Sequence, residues 1–143
     1  MQLPSSQRNL ISSFVTDQVD AGSSPGEIRL YDDENKGTLG VILVLNDPAY
    51  TNSNAEGLAG VVLQPQIMGR CWLDITTNPV AGTPLVNTAV TYGEIVDSSG
   101  SIKQTGYVSV SAGAFIQLSS LNLLTSVQVQ CINGYFETFA GNK

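Results

Sequence analysis

EIVDSSGSIKQTGYVSVS, residues 94–111, alternates apolar and polar side chains, breaks at Ser98-Ser99-Gly100, and then alternates again. Period-two alternation sends successive side chains to opposite faces of a strand, so one face is buried and the other wet. On the second arm Ile102, Gln104, Gly106, Val108 and Val110 share one face, and Lys103, Thr105, Tyr107 and Ser109 the other. The pattern predicts an antiparallel hairpin over NTAVTYGEIVD (87–97) and SIKQTGYVSVS (101–111), with its register fixed by the buried face.

The reading extends outward from this hairpin. EIRLY (27–31) alternates Ile28 and Leu30, DDENKG (32–37) is a polar turn, and TLGVILVL (38–45) is a near-continuous apolar run. Together they predict a second hairpin. NDPAYTNSNAEG (46–57) reads as loop, and Pro65 argues against a central strand in LAGVVLQPQIM (58–68). RCWLDI (70–75) is a strand candidate, followed by the turn-rich TTNPVAGTP (76–84). AFIQLSSLNLL (114–124) gives a short strand and a turn. SVQVQCINGYFETF (126–139) gives a long final strand, with Val127, Val129 and Cys131 on one face and a bulge at Asn133-Gly134. About eight short strands at short spacing predict an all-β fold, an antiparallel β-sandwich or jelly-roll-like domain.

Ahead of the strands, SSQRNLISSFVTDQVD (5–20) has helical spacing. Leu10, Ile11, Phe14, Val15 and Val19 form one apolar stripe, Pro4 and Ser5 supply a start, and Gly22 with the following SSPG ends the element. An amphipathic helix must lay its stripe on something. The sheet of its own domain is the default partner, with a neighbouring subunit second. The whole chain, 1–143, is expected to be one domain, with the N-terminal α-helix at about 5–20 and the β-sandwich at about 26–139.

Composition narrows the function. Charged residues are 13% of the chain, about half the usual share of ~25%. Ser, Thr, Asn and Gln recur throughout, which suits a sheet protein or one that lives inside an assembly. Twelve acids oppose six bases, for a net charge of −6, and no two of the cations are sequence neighbours. Neutralising a phosphate backbone or an anionic bilayer needs clustered cations, so neither nucleic acid nor membrane is expected as a partner. There is no apolar run of about 18 residues, so no transmembrane helix is expected. MQLPSSQRNL has neither a basic start nor an apolar core, so no secretory signal is expected.

Catalytic chemistry is hard to place on these residues. The chain has no histidine, which removes Ser-His-Asp triads, Cys-His dyads and His-based metal sites. Asp32, Asp33 and Glu34 invite a hard cation, but Lys36 occupies a ligand position of a calcium loop and Val44 stands where its closing Glu belongs. A solvated hairpin turn is the better reading. Neither GxGxxG, GxxxxGK[ST] nor GxSxG occurs. Cys71 and Cys131 read as reduced, buried small hydrophobes, with a single bridge as the alternative. No enzymatic activity and no cofactor is expected. Trp72 and the five tyrosines suit core packing or an interface, and a glycan-binding face stays open.

Four pieces in order carry a resemblance. They are RNLISSFVTDQVDAGSSPGEIRLYD, a helix running into a glycine-bounded strand; LGVILVLNDPAY, an apolar strand followed by Asp-Pro-Ala-aromatic; VTYGEIVDSSGSIKQTGYVS, a strand, a D-x-x-G hairpin and a second strand; and LSSLNLLTSVQVQ, a short strand, a turn and a V-x-V strand. In this order the chain resembles a family of small virion proteins of tailed bacteriophages, whose members decorate the capsid or sit in the head–tail region. QPQIMGRCWLDITTNPVAG has no counterpart in that pattern, and CINGYFETF departs from its plainer closing strand.

The resemblance implies a non-enzymatic capsid decoration (cement) protein of the virion surface, assembled in the host cytoplasm. It would bind the major capsid protein and itself, as a trimer or dimer. A head–tail connector or tail component is the alternative, and a carbohydrate-binding β-sandwich a further one. The expected interface residues are Leu10 and Phe14 on the helix, Pro48 and Tyr50 in the NDPAY loop, and Ile67, Met68 and Trp72 in the segment without a counterpart.

Overall fold

The computed structural model describes residues 4–51 and 70–137. They form one helix, α1 (Ser5–Asp17), continued by a 3-10 turn at Gln18–Asp20, and eleven strands. The strands are β1 (Glu27–Tyr31), β2 (Leu39–Val44), β3 (Tyr50–Thr51), β4 (Arg70–Leu73), β5 (Ala81–Gly82), β6 (Thr88–Ala89), β7 (Tyr92–Val96), β8 (Ile102–Tyr107), β9 (Ile116–Leu118), β10 (Asn122–Leu123) and β11 (Val129–Glu137). One sheet runs β2-β1-β7-β8. A second runs β3-β4-β11-β5, with β9 also on β11, and β6 and β10 form a separate pair. The pairings of these strands are antiparallel. The fold is all-β with a single short helix, as expected.

Both predicted hairpins form. β7 pairs with β8 through Ile95↔Gln104, and β1 with β2 through Ile28↔Leu43. The β7–β8 turn is built by Asp97. Its Oδ1 accepts the backbone N–H of Ser99 and of Ser101, while Gly100 takes φ +87° and donates its own N–H to the Asp97 carbonyl. That left-handed backbone is where glycine is tolerated without steric cost. The hydrogen bond from the Ser99 hydroxyl (2.7 Å) leads the contacts that hold the Asp97 carboxyl below its usual range. The bulge expected in the last strand is present, one step earlier than predicted, at the register shift between Cys131 and Asn133.

Several boundaries differ from the sequence reading. NTAVTYGEIVD is not one strand: β6 and β7 belong to different sheets, and Val90 between them is fully buried. Short strands also form at Tyr50–Thr51 and Ala81–Gly82, where loop was expected. Val127 does not share the buried face of Val129 and Cys131, because β11 begins only at Val129 and Val127 closes the preceding turn through its N–H to the Leu124 carbonyl.

The two sheets meet in one hydrophobic cluster. Ile28, Leu30, Val41, Leu43 and Ile95 come from the first sheet, and Tyr50, Cys71, Leu73, Ile116, Leu118, Val129 and Cys131 from the second. Across this core the Tyr50 hydroxyl donates to Gln104 Oε1 at 3.1 Å, so a side chain of β3 is tied to one of β8. Close approach of β5 to β2 requires Gly82, since a Cβ there would stand 2.5 Å from the Ile42 carbonyl oxygen. Cys71 and Cys131 are both free and buried.

The helix packs only partly as expected: of the predicted stripe Val19 is fully buried and Val15 half-buried, while the other three residues turn away from the sheet. α1 lies near β4 and β11, and it turns Ser12, Ser13, Thr16 and, just beyond its end, Val19 inward. Leu10, Ile11 and Phe14 point out, 54%, 40% and 69% exposed. At 3.6 residues per turn the two faces stand about 180° apart. Small hydroxyl side chains allow close approach to the sheet. The Thr16 hydroxyl stays satisfied by donating to the Ser12 carbonyl at 2.9 Å, a back-bond within the helix. The helix end is pinned where Asp20 Oδ1 accepts the Ala49 N–H at 2.8 Å.

Candidate interaction surfaces

The first surface is the outward stripe of α1. Three large apolar side chains on neighbouring turns are bare, while the polar face of the same helix is used up against the sheet. Phe14 follows Ile11 by three residues and Leu10 by four, and i+3 and i+4 pairs are among the anchor spacings of helices that enter apolar grooves.

The second surface is an aliphatic tip made by two turns. β6 and β10 hold the turns side by side through Leu123↔Thr88, and Asn87 Oδ1 accepts the Thr125 N–H at 2.8 Å. The Leu85 N–H donates to the Gly40 carbonyl, which fixes the first turn to β2. Leu85, Val86, Leu124 and Val127 all remain exposed on these turns, Leu85 and Val127 by more than half. Scattered single apolar residues on a surface need no explanation, but four on two adjoining turns form a patch.

The third surface is the outer face of the first sheet. Tyr31, Tyr92 and Tyr107 stand in register on β1, β7 and β8, and the rings of Tyr92 and Tyr107 meet edge-on at 5.9 Å. The 32–37 turn folds back over this row. The Tyr107 hydroxyl donates to Glu34 Oε2 at 2.8 Å, the Lys36 ammonium stands 2.5 Å from the buried Glu94 carboxylate, and it lies 5.9 Å above the Tyr31 ring. Glu94 supports the Lys36 charge, raising its pKa, and Glu34, by accepting the Tyr107 hydroxyl's hydrogen bond, favours the neutral phenol and raises its pKa. Asp32 and Asp33 accept backbone N–H groups of Thr38 and Asn35. The acids of DDENKG therefore build the turn and clamp it to the sheet. Among the described residues no three or more carboxylate or thiol side chains gather as a metal site.

A fourth feature is an open groove of about 350 Å³ on the second sheet, with a mixed polar and apolar lining of Ile75, Pro79, Val80, Gln130, Cys131 and Ile132. Burial pushes the Cys131 thiol up to about 12, and its Sγ donates to the Asn133 carbonyl at 3.4 Å. It sits in the groove wall as a neutral thiol.

The residues expected at an interface divide among these places. Leu10 and Phe14 are on the exposed stripe. Pro48 is exposed, after a cis peptide from Asp47. Tyr50 is a correction: it is 5% exposed, a core residue, and has almost no surface to offer a partner. β3 pairing with β4 turns its ring inward, and burial raises its phenol pKa far above the usual range, so it stays a neutral donor to Gln104. Trp72 is half-buried, its ring against that of Tyr135 at 5.3 Å. Ile67 and Met68 lie outside the described residues.

Sequence reasoning missed Leu85, Val86, Leu124 and Val127 as surface residues. The available signal was that Leu85 and Val86 follow Pro84, and Leu124 and Val127 flank Thr125-Ser126, so all four sit beside turn residues; for Val127 the alternation with Val129 and Cys131 masked it. No family model, no curated protein and no solved structure matches this chain.

Proposed function

We propose that this chain is a non-enzymatic structural protein of a tailed-bacteriophage particle, a capsid decoration protein that binds the major capsid protein and braces the shell. The observation that carries the reading is that large apolar side chains stay bare on two distinct surfaces, the α1 stripe and the Leu85/Val86/Leu124/Val127 tip. A protein built to be covered on two sides fits an assembly component with two neighbours. Apolar anchors with polar rims are the composition of such interfaces, and the hydroxyl- and amide-rich surface supplies the rims. The order of helix, hairpins and final strand resembles that of small phage virion proteins, and that resemblance supports the choice of particle and partner. Many such contacts on one shell act together, so each need be only weak.

A second reading, glycan binding, is favoured by the Tyr31/Tyr92/Tyr107 row. It is weakened by the edge-on packing of Tyr92 and Tyr107 and by the clamp of the 32–37 turn over the row.

The test is co-sedimentation of the purified chain with shells that lack it. Saturable binding is expected, weakened by Leu85→Asp with Val127→Asp by at least about tenfold, which is 1.4 kcal/mol. Both side chains are solvent-exposed, so the variant should keep the wild-type thermal midpoint. Absence of saturable binding would reject the decoration reading. Undiminished binding of a folded double variant would remove the tip from it.

A further inference from the structure

We propose that the outer face of the first sheet is a binding site for a primary alkylammonium group, the head of a partner protein's lysine side chain, and that Lys36 occupies it as an exchangeable internal ligand. The inference goes beyond the decoration reading and stands without it.

The fixed half of the site is Glu94. Its residue is 2% exposed, and its Oε1 meets the Lys36 ammonium at 2.5 Å and takes no other hydrogen bond. A carboxylate withdrawn from water needs an opposite charge beside it. The neighbouring cations are engaged elsewhere. Arg29, opposite Glu94 in register, meets Glu27 at 3.2 Å, and Lys103 meets Asp97 at 3.6 Å. The Tyr31 ring lies 5.9 Å from the ammonium, and its hydroxyl donates to Glu94 Oε2 at 3.4 Å. A carboxylate with an aromatic face beside it is the chemistry that holds an ammonium group, the ring adding the attraction of its negative face.

The movable half is Lys36. Its side chain is 40% exposed and reaches in from a turn whose residues 33–37 are all exposed. The turn keeps its shape by other means. Asp32 Oδ1 accepts the Thr38 N–H, Asp33 Oδ1 accepts the Asn35 N–H, and the Lys36 N–H donates to the Asp33 carbonyl. Swinging the side chain outward therefore leaves the turn standing and Glu94 in need of another cation. A net charge of −6 draws cations to this chain. A tethered arm competes at an effective concentration on the order of mM, so a lysine held against the sheet by further contacts displaces it.

The experiment is titration of the full-length chain with n-butylammonium chloride, followed by amide NMR and compared with sodium chloride at equal ionic strength. Lys36→Gly removes the four-carbon ammonium arm that n-butylammonium replaces, and glycine suits the backbone at this position, where φ is +57°. Lys36→Ala serves if the glycine loosens the turn. Lys36→Gly should show saturable shifts confined to residues around Tyr31, Glu94 and Tyr107, and a thermal midpoint that the ligand restores. The wild type should show the same shifts at concentrations at least about tenfold higher, because its own arm competes. Adding Glu94→Gln to Lys36→Gly should abolish them. Tetramethylammonium, which has no N–H to give Glu94, should bind more weakly than n-butylammonium. Equal affinity in wild type and Lys36→Gly would show that Lys36 does not hold the site. Shifts reproduced by sodium chloride, or surviving Glu94→Gln, would overturn the site itself, and tighter binding of tetramethylammonium would overturn the ligand class. Binding by Lys36→Gly with none by wild type would make Lys36 a permanent plug and overturn the exchange. Shell binding enters none of these readouts, so their failure leaves the decoration reading as it stands.

Discussion

Replacing Tyr50 with Ala is expected to lower the free energy of unfolding by about 3–5 kcal/mol, the usual cost of deleting a buried aromatic ring. The ring lies in the core cluster, and its hydroxyl reaches Gln104 Oε1 on the opposite sheet. Two losses therefore combine in Tyr50→Ala: the transfer free energy of the ring with its cavity, and the partner of a buried amide. Tyr50→Phe separates them. It keeps the ring and removes only the hydroxyl, so the cost falls to about 1–3 kcal/mol, that of leaving a buried acceptor without its donor. Gln104 Nε2 already has no partner in its buried position, and Tyr50→Phe leaves the amide without either bond. Urea unfolding of the three proteins, compared at equal slope, measures both steps. A Tyr50→Ala protein as stable as wild type would return Tyr50 to the surface and contradict the packing of β3 on the core.

The second large effect is a contrast between Leu30 and Phe14. Leu30→Ala is expected to cost about 2–5 kcal/mol, because Leu30 is fully buried on β1, which runs between β2 and β7. Phe14→Ala removes a larger side chain, yet is expected to change the stability of the isolated chain by no more than about 0.5 kcal/mol, as for a solvent-exposed position. The ordinary reading of an amphipathic helix, with its stripe laid on its own sheet, gives Phe14 a cost similar to that of Leu30. Denaturation at concentrations low enough to exclude association decides between them. A loss of several kcal/mol at Phe14 would place the stripe against the chain's own core.

These two residues mark the limit of what the sequence discloses. The spacing of Leu10, Ile11, Phe14, Val15 and Val19 reveals a helix and an apolar stripe. It does not reveal what covers the stripe. The hydroxyls of Ser12, Ser13 and Thr16 look like a wet face, but they are small and at least Thr16 bonds back to the helix, so they are cheap to bury. Both hairpins were legible because their strands are long enough to show a period and their turns carry Asp97, Gly100 and the polar run 32–37. Strands of two residues, as at Tyr50–Thr51 and Thr88–Ala89, have no period to detect. They exist because a neighbouring strand pairs with them. Tyr50 follows from the same fact: a tyrosine after Asp-Pro-Ala reads as loop until β4 pairs with it and turns the ring inward. The aliphatic tip escaped notice because it joins turns nearly forty residues apart, linked by Asn87 and Thr125.

The proposed place of this chain in the shell is tested by quantitative mass spectrometry of purified particles from the source of this sequence, with the copy number referred to the major capsid protein. A copy number comparable to that of the capsid subunit is expected of a decoration protein. A handful of copies would move the chain to the neck or tail, and its absence from the particle would rule out a virion role.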